Sequence, residues 1–493
     1  MLFTSFEFLL GFLPLTFVGF FLIARVSQKA AAWWLAIASL VFYGWWDYRY
    51  VPLLLASILF NYGVGYGLSL LKKRWLLWLG VIVDLGLLGY FKYTDFFIGG
   101  YNDVAGASLP LLHIVLPLGI SFFTFTQIAF LVDSYRGKAQ ERNFAYYVLF
   151  VTYFPHLIAG PVLHHAQMMP QFAERRVYRP SAESIAIGMA LFTVGMAKKL
   201  LIADPISIYV TPVFGAAQNG THLSTGVAWA AVLAYTFQLY FDFSGYSDMA
   251  VGLSRLFGVQ LPINFNSPYK AVNISEFWRR WHMTLSQFLR DYLYIPLGGN
   301  RAGPARRYLN LLATMVLGGL WHGANWTYVV WGALHGAYLC ANHAWAAGRS
   351  RLGFGGDGGA GGRLMAIAVT FLCSVVAWVF FRAESLHSAL LILRAMSGFG
   401  GDSGWLALMP HLPKVTFLAK LAVAGAIVWC LPNAYQYLDS SGKSGLMHVR
   451  QVIVNAVARR PAMTAMAFSV VLVLSIISQF GPKASSPFLY FQF

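Results

Sequence analysis

Strongly apolar runs, each about long enough to cross a bilayer as a helix, recur from one end of the chain to the other. They lie near 6–24, 31–46, 52–70, 75–91, 113–132, 144–162 and 185–203, then near 224–241, 308–320, 323–345, 364–381, 416–431 and 462–480. The runs are solidly apolar rather than alternating, which argues against a membrane β-barrel, whose strands alternate between lipid and lumen. Several are short or interrupted by Pro or Gly. The pattern therefore predicts an all-α polytopic integral membrane protein with about ten to twelve crossing helices, plus one or two re-entrant or interfacial pieces. Internal repeats of the transporter kind are not visible. Two stretches interrupt the apolar rhythm: a glycine-rich segment, Gly348–Gly362, which reads as a loop, and the middle of the chain from Tyr240 to His335, where polar groups crowd among aromatics.

Charge placement orients the chain. The first run begins at Glu7 rather than with a basic segment, has no small-residue cleavage site, and is followed by Arg25 and Lys29. It reads as a membrane span with its basic flank in the cytoplasm, not as a signal peptide. The last run is preceded by Arg450, Arg459 and Arg460. Both termini are thus expected outside, with an even number of crossings.

Composition agrees with this class. The 493 residues are 58% hydrophobic and 11% charged, far from the charged surface of a soluble protein of this length. The net charge of +17 is mostly what cytoplasmic loops carry, with some left to hold an anionic donor. Nucleic acid is not an expected partner, because the basic residues are dispersed among spans. Cys340, Cys373 and Cys430 form no paired motif and all lie in apolar runs, so neither a disulfide framework nor a metal cluster is indicated.

The stretch Asn273–Tyr292, N-I-S-E-F-W-R-R-W-H-M-T-L-S-Q-F-L-R-D-Y, reads as an amphipathic helix. Asn273 with Glu276 three residues on makes a variant capping box. Phe277, Trp281, Leu285, Phe288 and Tyr292 share one face, and His282 sits at its margin. An interfacial anchor is the simplest reading; the functional one adds Arg279 and Arg280 as contacts for donor phosphates. His322 follows L-G-G-L-W and precedes G-A-N-W, with apolar spans on both sides. An ionisable group at membrane depth faces a cavity or a partner, and neutral imidazole can take a proton from an attacking hydroxyl. The glycines around it allow a bend and close approach of a substrate. A buried hydrogen-bonded histidine is the alternative.

Asp242 and Asp248 flank Ser244 beside a span. Ser244 lacks the G-x-S-x-G context of a hydrolase nucleophile, and structural pairing, with arginines of the 273–292 stretch as candidates, is the reading for the two acids. Phe154–Pro161, F-P-H-L-I-A-G-P, suggests a broken helix, followed by His164 and His165. Adjacent histidines do not share a helix face and no carboxylate lies at ligand spacing, so no metal is expected.

Taken in order, G-Y-F-K-Y (Gly89 to Tyr93), P-L-G-I-S-F (Pro117 to Phe122), F-P-H-L-I-A-G-P (Phe154 to Pro161), Y-F-D-F-S-G-Y-S-D-M-A (Tyr240 to Ala250), E-F-W-R-R-W-H (Glu276 to His282), L-R-D-Y-L-Y-I-P-L-G-G-N-R (Leu289 to Arg301) and G-G-L-W-H-G-A-N (Gly318 to Asn325) resemble the membrane-bound O-acyltransferase (MBOAT) family over nearly the whole chain. The resemblance is to its members in bacterial alginate and cellulose O-acetylation. It implies a single domain over 1–493 around a central tunnel, with 240–345 as catalytic core and 484–493 as an aromatic tail on the outer side. It implies His322 as the family's catalytic histidine and His282 as a second functional one; Arg279, Arg280, Trp321 and Asn325 stand beside them as donor-binding candidates, and Asp242, Asp248 and Glu276 as a structural polar core, on the reading of the residues themselves. The implied donor is acetyl-CoA, with no cofactor; the implied setting is the bacterial inner membrane among its lipids; the implied partner is a periplasmic SGNH-type O-acetyltransferase that modifies an exopolysaccharide.

The tail ends F-L-Y-F-Q-F. It reads either as an interfacial aromatic anchor or as a segment at the outer mouth of the tunnel in which the Tyr490 hydroxyl relays the acetyl group. Two other functions compete with exopolysaccharide acetylation: acyl transfer to another envelope acceptor, such as a lipid or teichoic acid, and non-catalytic transport of a glycan or acyl carrier.

Overall fold

A computed structural model describes residues 1–139, 143–301, 303–351 and 359–438, together with 469–470, 473–474 and 488–489. Helices dominate the described residues, and the chain divides into two compact units. Of the described residues, one unit comprises those within 1–197 and 245–263 and those from 434 onward; the other comprises those within 198–244 and 264–433. Among the described residues, five helical stretches, Glu7–Ala24, Gln28–Leu71, Arg74–Ala105, Ala182–Ser207 and Gly359–Arg382, are long and apolar enough to cross a membrane by length and composition. The 462–480 run lies almost wholly outside the described residues, as does Tyr490.

The first unit is built from α1 (Glu7–Ala24), α2 (Gln28–Asp47), α3 (Val51–Leu71), α4 (Arg74–Ala105), α5 (Ile120–Tyr135), α6 (Phe144–Thr152), α7 (His165–Met168) and α8 (Ala182–Ala197). The start of α2 is set by Ser27, whose hydroxyl accepts from the Ala30 N–H, the usual capture of an orphan helix donor. The long α4 exposes Trp75, Trp78, Ile82 and Phe97, apolar surface that suits lipid. Where α3, α4, α5 and α6 face one another, polar side chains hydrogen-bond across the helices. Asn61 donates to Asp84 at 2.7 Å, Gln127 donates to Ser57 at 2.8 Å, and the Tyr147 hydroxyl donates to Gln127 at 3.2 Å. Such interhelical bonds are how bilayer helices accommodate side-chain polarity.

Helix α6 stops at Thr152, and 153–164 run as turns and coil before α7, the break that Pro155, Gly160 and Pro161 predict. Its end has a consequence that periodicity did not foresee. His164 is the extended residue before α7 (φ −94°, ψ 137°) rather than a helical one, so its ring and that of His165 converge, 4.8 Å apart. Asp133, near the end of α5, lies against both.

Helix α9 (Thr225–Leu256) takes in the whole Tyr240–Met249 motif without a break. Within the first unit, its residues from Gly245 pack on α8 through glycine: a Cβ at Gly195 would meet the Gly245 carbonyl at 2.5 Å, and one at Gly252 the Gly188 carbonyl at 2.6 Å. Small residues allow backbones to approach in this way in membrane bundles. Tyr246 also joins two segments far apart in sequence: Phe3 stacks on it at 5.0 Å and Phe488 meets it edge-on at 4.8 Å.

The second unit contains residues 225–244 of α9, then α10 (Ile274–Trp278), α11 (Met283–Leu289), α12 (Pro304–His322), α13 (Trp326–Arg351), α14 (Gly359–Arg382), α15 (Leu386–Met396) and α16 (Lys414–Cys430). Both ends of the glycine-rich stretch are helical, since α13 continues to Arg351 and α14 begins at Gly359; the residues between lie outside the described ones. Helices α12 and α13 form a tight hairpin. A Cβ on Gly319 would run into the Tyr328 carbonyl, and one on Gly332 into the Met315 carbonyl. Gly319, one of the glycines that flank His322, thus lets α12 and α13 approach closely.

Candidate active site

The stretch 273–292 departs from the single amphipathic helix that its spacing predicts. Asn273 does cap α10, its side-chain oxygen accepting from the Glu276 N–H at 2.9 Å. Glu276 reaches back one residue further than a capping box requires and accepts from the Val272 N–H at 2.9 Å. The helix then ends at Trp278, and His282 adopts a left-handed conformation, φ +43°. An upstream segment holds the break. The Asn266 N–H donates to the Arg280 carbonyl at 2.9 Å, and the Met283 N–H donates to the Asn264 carbonyl at 3.0 Å. The Thr284 hydroxyl donates to the Asn264 side-chain oxygen at 2.7 Å, and His282 Nδ1 lies 3.3 Å from that oxygen. A left-handed non-glycine residue is costly and persists only where its surroundings over-determine it; here Asn264 does so.

Burial follows the predicted face while its meaning changes. Phe277, Trp281, Leu285 and Phe288 are buried and Tyr292 half-buried. They pack inside the unit, not on a membrane interface: Phe277 stacks on Trp281 at 5.7 Å, and Trp281 meets Trp378 at 4.8 Å.

His322 is the last residue of α12 and is 5% exposed. Gly323 turns extended beyond it, and Asn325 opens α13 by accepting from the Thr327 N–H at 3.0 Å. The His322 ring is enclosed by Trp321 at 4.9 Å, Trp331 at 5.1 Å and Phe381 at 5.2 Å. His282, fully buried, lies 6.4 Å from it, ring to ring, with Phe243 of α9 edge-on to His282 at 4.8 Å. The two histidines singled out in the sequence are therefore neighbours in one aromatic-walled site. Trp321 touches both, standing 6.1 Å from His282.

The other predicted residues separate. Arg280 is bound to Glu276 at 2.7 Å and donates to the Asn266 carbonyl at 3.1 Å, whereas Arg279 is exposed. Asn325, besides capping α13, donates to the Glu384 carbonyl at 2.9 Å. Asp242 is buried and ion-paired, as expected, but with Lys199 at 2.6 Å rather than with an arginine of the 273–292 stretch. Lys199 also meets Asp204 at 2.8 Å and sits in a π-helical turn, Lys198–Ala203, directly after α8. Asp248 is buried within the first unit. Tyr490 lies outside the described residues.

Sequence reasoning passed over two groups. Lys199 is embedded in an apolar run and carries no motif. His335, on α13, is fully buried between Trp331 at 4.8 Å and Trp278 at 5.1 Å, and neither ring nitrogen has a hydrogen-bond partner among the described residues. Its burial as an ionisable group in an apolar span was the available signal.

The sequence profile of MBOAT, the membrane-bound O-acyltransferase family, matches residues 67–375. The chain is 43% identical over 446 residues to the peptidoglycan O-acetyltransferase of Helicobacter pylori, covering 84% of this chain and 82% of that protein. It is 39% identical to the probable alginate O-acetylase of Pseudomonas syringae, covering 100% of both chains. It is 44% identical to the probable alginate O-acetylase of Pseudomonas aeruginosa, covering 81% of this chain and 75% of the relative. The profile spans more than half of the sequence and each relative is matched over most of its length, so this chain belongs to the membrane-bound O-acyltransferase family: it is a multi-pass membrane O-acyltransferase.

Proposed function

We propose that this O-acyltransferase takes acetyl from acetyl-CoA on the cytoplasmic side of the bacterial inner membrane and passes it outward for O-acetylation of an exopolysaccharide, alginate being the first candidate. The observation that carries the catalytic part is the pairing of His282 and His322 in one aromatic-walled site. The polymer rests on the full-length similarity to alginate O-acetylases.

In this reading His322 is the general base. Its neutral imidazole takes the proton of the acceptor hydroxyl as that oxygen attacks the thioester carbonyl. The carbon–sulfur bond then breaks, and the departing CoA thiolate recovers the proton from the imidazolium. Atoms and charge balance without a cofactor. His282 positions or polarises the reacting groups, fixed in its left-handed conformation by Asn264. The aromatic walls exclude water, which favours transfer over hydrolysis. Of the two arginines, Arg279 is the one left exposed for donor phosphates.

Two features support the direction. Arg25 and Lys29 follow the first span, and basic flanks stay in the cytoplasm. Phe3 and Phe488 both pack on Tyr246, as chain ends on one side of the membrane would. The acceptor is then either Tyr490 of the tail, acting as a relay, or the serine of a periplasmic SGNH-type partner. Peptidoglycan is a second acceptor polymer, favoured by the Helicobacter pylori relative.

The test is purified protein in nanodiscs with radiolabelled acetyl-CoA. Turnover that needs His322 supports the reading, and turnover unchanged in His322→Ala removes that histidine from the mechanism. Label retained on the chain and lost in Tyr490→Phe supports the relay. CoA release that needs a periplasmic partner but not Tyr490 discards it.

A further inference from the structure

We propose that Asp133, His164 and His165 form a binding site for a borderline transition-metal ion of the Zn²⁺ class, joining the end of α5 to the start of α7. The site belongs to the first unit and takes no part in the proposed acyl transfer.

One ligand atom from each residue lies within 4.8 Å of the others. Both imidazoles approach the same carboxylate oxygen, Asp133 Oδ2: His164 Nε2 at 2.7 Å and His165 Nδ1 at 3.4 Å. Two ligands held about 2.0–2.1 Å from a tetrahedral zinc ion stand about 3.3–3.4 Å apart. The His165 distance already has that value, and the His164 distance is a hydrogen bond that a metal would open by about 0.6 Å, the difference from the same tetrahedral spacing.

A simple hydrogen-bonded cluster accounts poorly for His165. The residue is 3% exposed, and its Nδ1, aimed at Asp133, makes no hydrogen bond among the described residues. A buried imidazole nitrogen in that state is costly. Its other nitrogen, Nε2, lies 3.4 Å from the Lys138 carbonyl, the outer contact that fixes the tautomer of a metal-ligating histidine and turns the opposite nitrogen's lone pair towards the ion. His164 is the more open ligand, with 26% of its side chain exposed, which leaves a coordination position for water. Two imidazoles and one carboxylate select zinc or a similar ion over the hard cations Ca²⁺ and Mg²⁺, which prefer all-oxygen sites. The extended backbone of His164 is what lets neighbouring histidines serve as joint ligands.

The proposed role is structural. Asp133 ends one helix, the two histidines begin another, and the broken segment after α6 lies between them. A metal closing that loop restricts the unfolded chain as a cross-link does.

The experiment uses the full chain carrying a non-histidine affinity tag, purified in nanodiscs, stripped with chelator and titrated with Zn²⁺ and then with Co²⁺. The expected result is saturable uptake of about one ion per chain, visible ligand-field bands of four-coordinate Co²⁺, and a melting temperature that rises on Zn²⁺ addition. Asp133→Asn, nearly isosteric, removes an anionic ligand and should weaken binding by more than the roughly 10–100-fold typical of outer contacts. His165→Ala should abolish the Co²⁺ bands. His164→Gln, at the more exposed position, supplies the second ligand test if His165→Ala fails to fold. A wild-type protein that is folded after stripping yet takes up no saturable Zn²⁺ overturns the proposal. So does uptake that Asp133→Asn and His164→Gln leave unchanged. Metal content and melting are read without turnover, so either result leaves the acetyl-transfer reading to its own test.

Discussion

Two histidines of the first unit, His164 and His165, lie against a carboxylate, and two of the second, His282 and His322, lie among aromatic rings. Asp133 touches both His164 and His165, whereas His322 is walled by Trp321, Trp331 and Phe381 and His282 by Phe243. The difference decides what an imidazole can do. Beside a fixed anion it is tied down, suited to an ion pair or a metal. Between aromatic rings, on the proposed reading, it acts on a group that enters the site, and walls that exclude water would strengthen that interaction. The second unit does hold a buried ion cluster, Lys199 with Asp242 and Asp204, but its carboxylates answer a lysine.

The largest expected effect tests the aromatic-walled site. His322→Ala should lower acetyl-CoA turnover by roughly 10²–10⁴-fold, the usual loss on removing a positioned general base, as read by CoA release in nanodiscs. A loss below tenfold would make the aromatic wall a packing feature and end the contrast.

Next comes the ion cluster. Lys199→Met removes that cation from the buried Asp242 and the half-buried Asp204 and should destabilise the protein by about 3–5 kcal/mol, the typical consequence of breaking a buried pair. Thermal unfolding in detergent measures it. The double variant Lys199→Met/Asp242→Leu should recover part of the loss, because the uncompensated charge is gone. No recovery would mean that Lys199 contributes mainly through other contacts.

Asn264→Ala should cost about 1–3 kcal/mol, since it strands the buried Thr284 hydroxyl. It should also lower kcat more than it raises KM for acetyl-CoA if Asn264 acts by holding His282. An equal change in stability with kcat unaltered would limit Asn264 to a structural role. The smallest effect is expected at Arg279. As an exposed cation it offers donor phosphates roughly 0.2–1 kcal/mol, so Arg279→Ala should raise KM a few-fold at low salt and less at high salt. A KM independent of both would send the donor elsewhere.

The sequence by itself determined the class of this protein. Apolar runs of bilayer length are a one-dimensional signal, and hydrocarbon admits helices because their backbone hydrogen bonds close within the segment. The run at 52–70 became α3 at Val51–Leu71, and that at 416–431 became α16 at Lys414–Cys430, each within a residue or two. The break after α6 and the Asn273 cap were also legible, since proline, glycine and capping side chains act locally. His282 and His322 also stood out as ionisable groups in apolar surroundings, and the fold sets them side by side.

Tertiary structure alone decided how these parts converge. No periodicity announces that His282 turns left-handed, because the bonds that hold it there come from Asn264 on another segment. Nothing near Asp242 names Lys199 as its partner, and nothing near His164 names Asp133. The fold of 273–292 was misread for the same reason: its apolar face was correct, but the backbone beneath it answered to hydrogen bonds from 264–266. Burial of an apolar face follows from the order of residues, whereas satisfying a buried polar group depends on which distant atom arrives beside it.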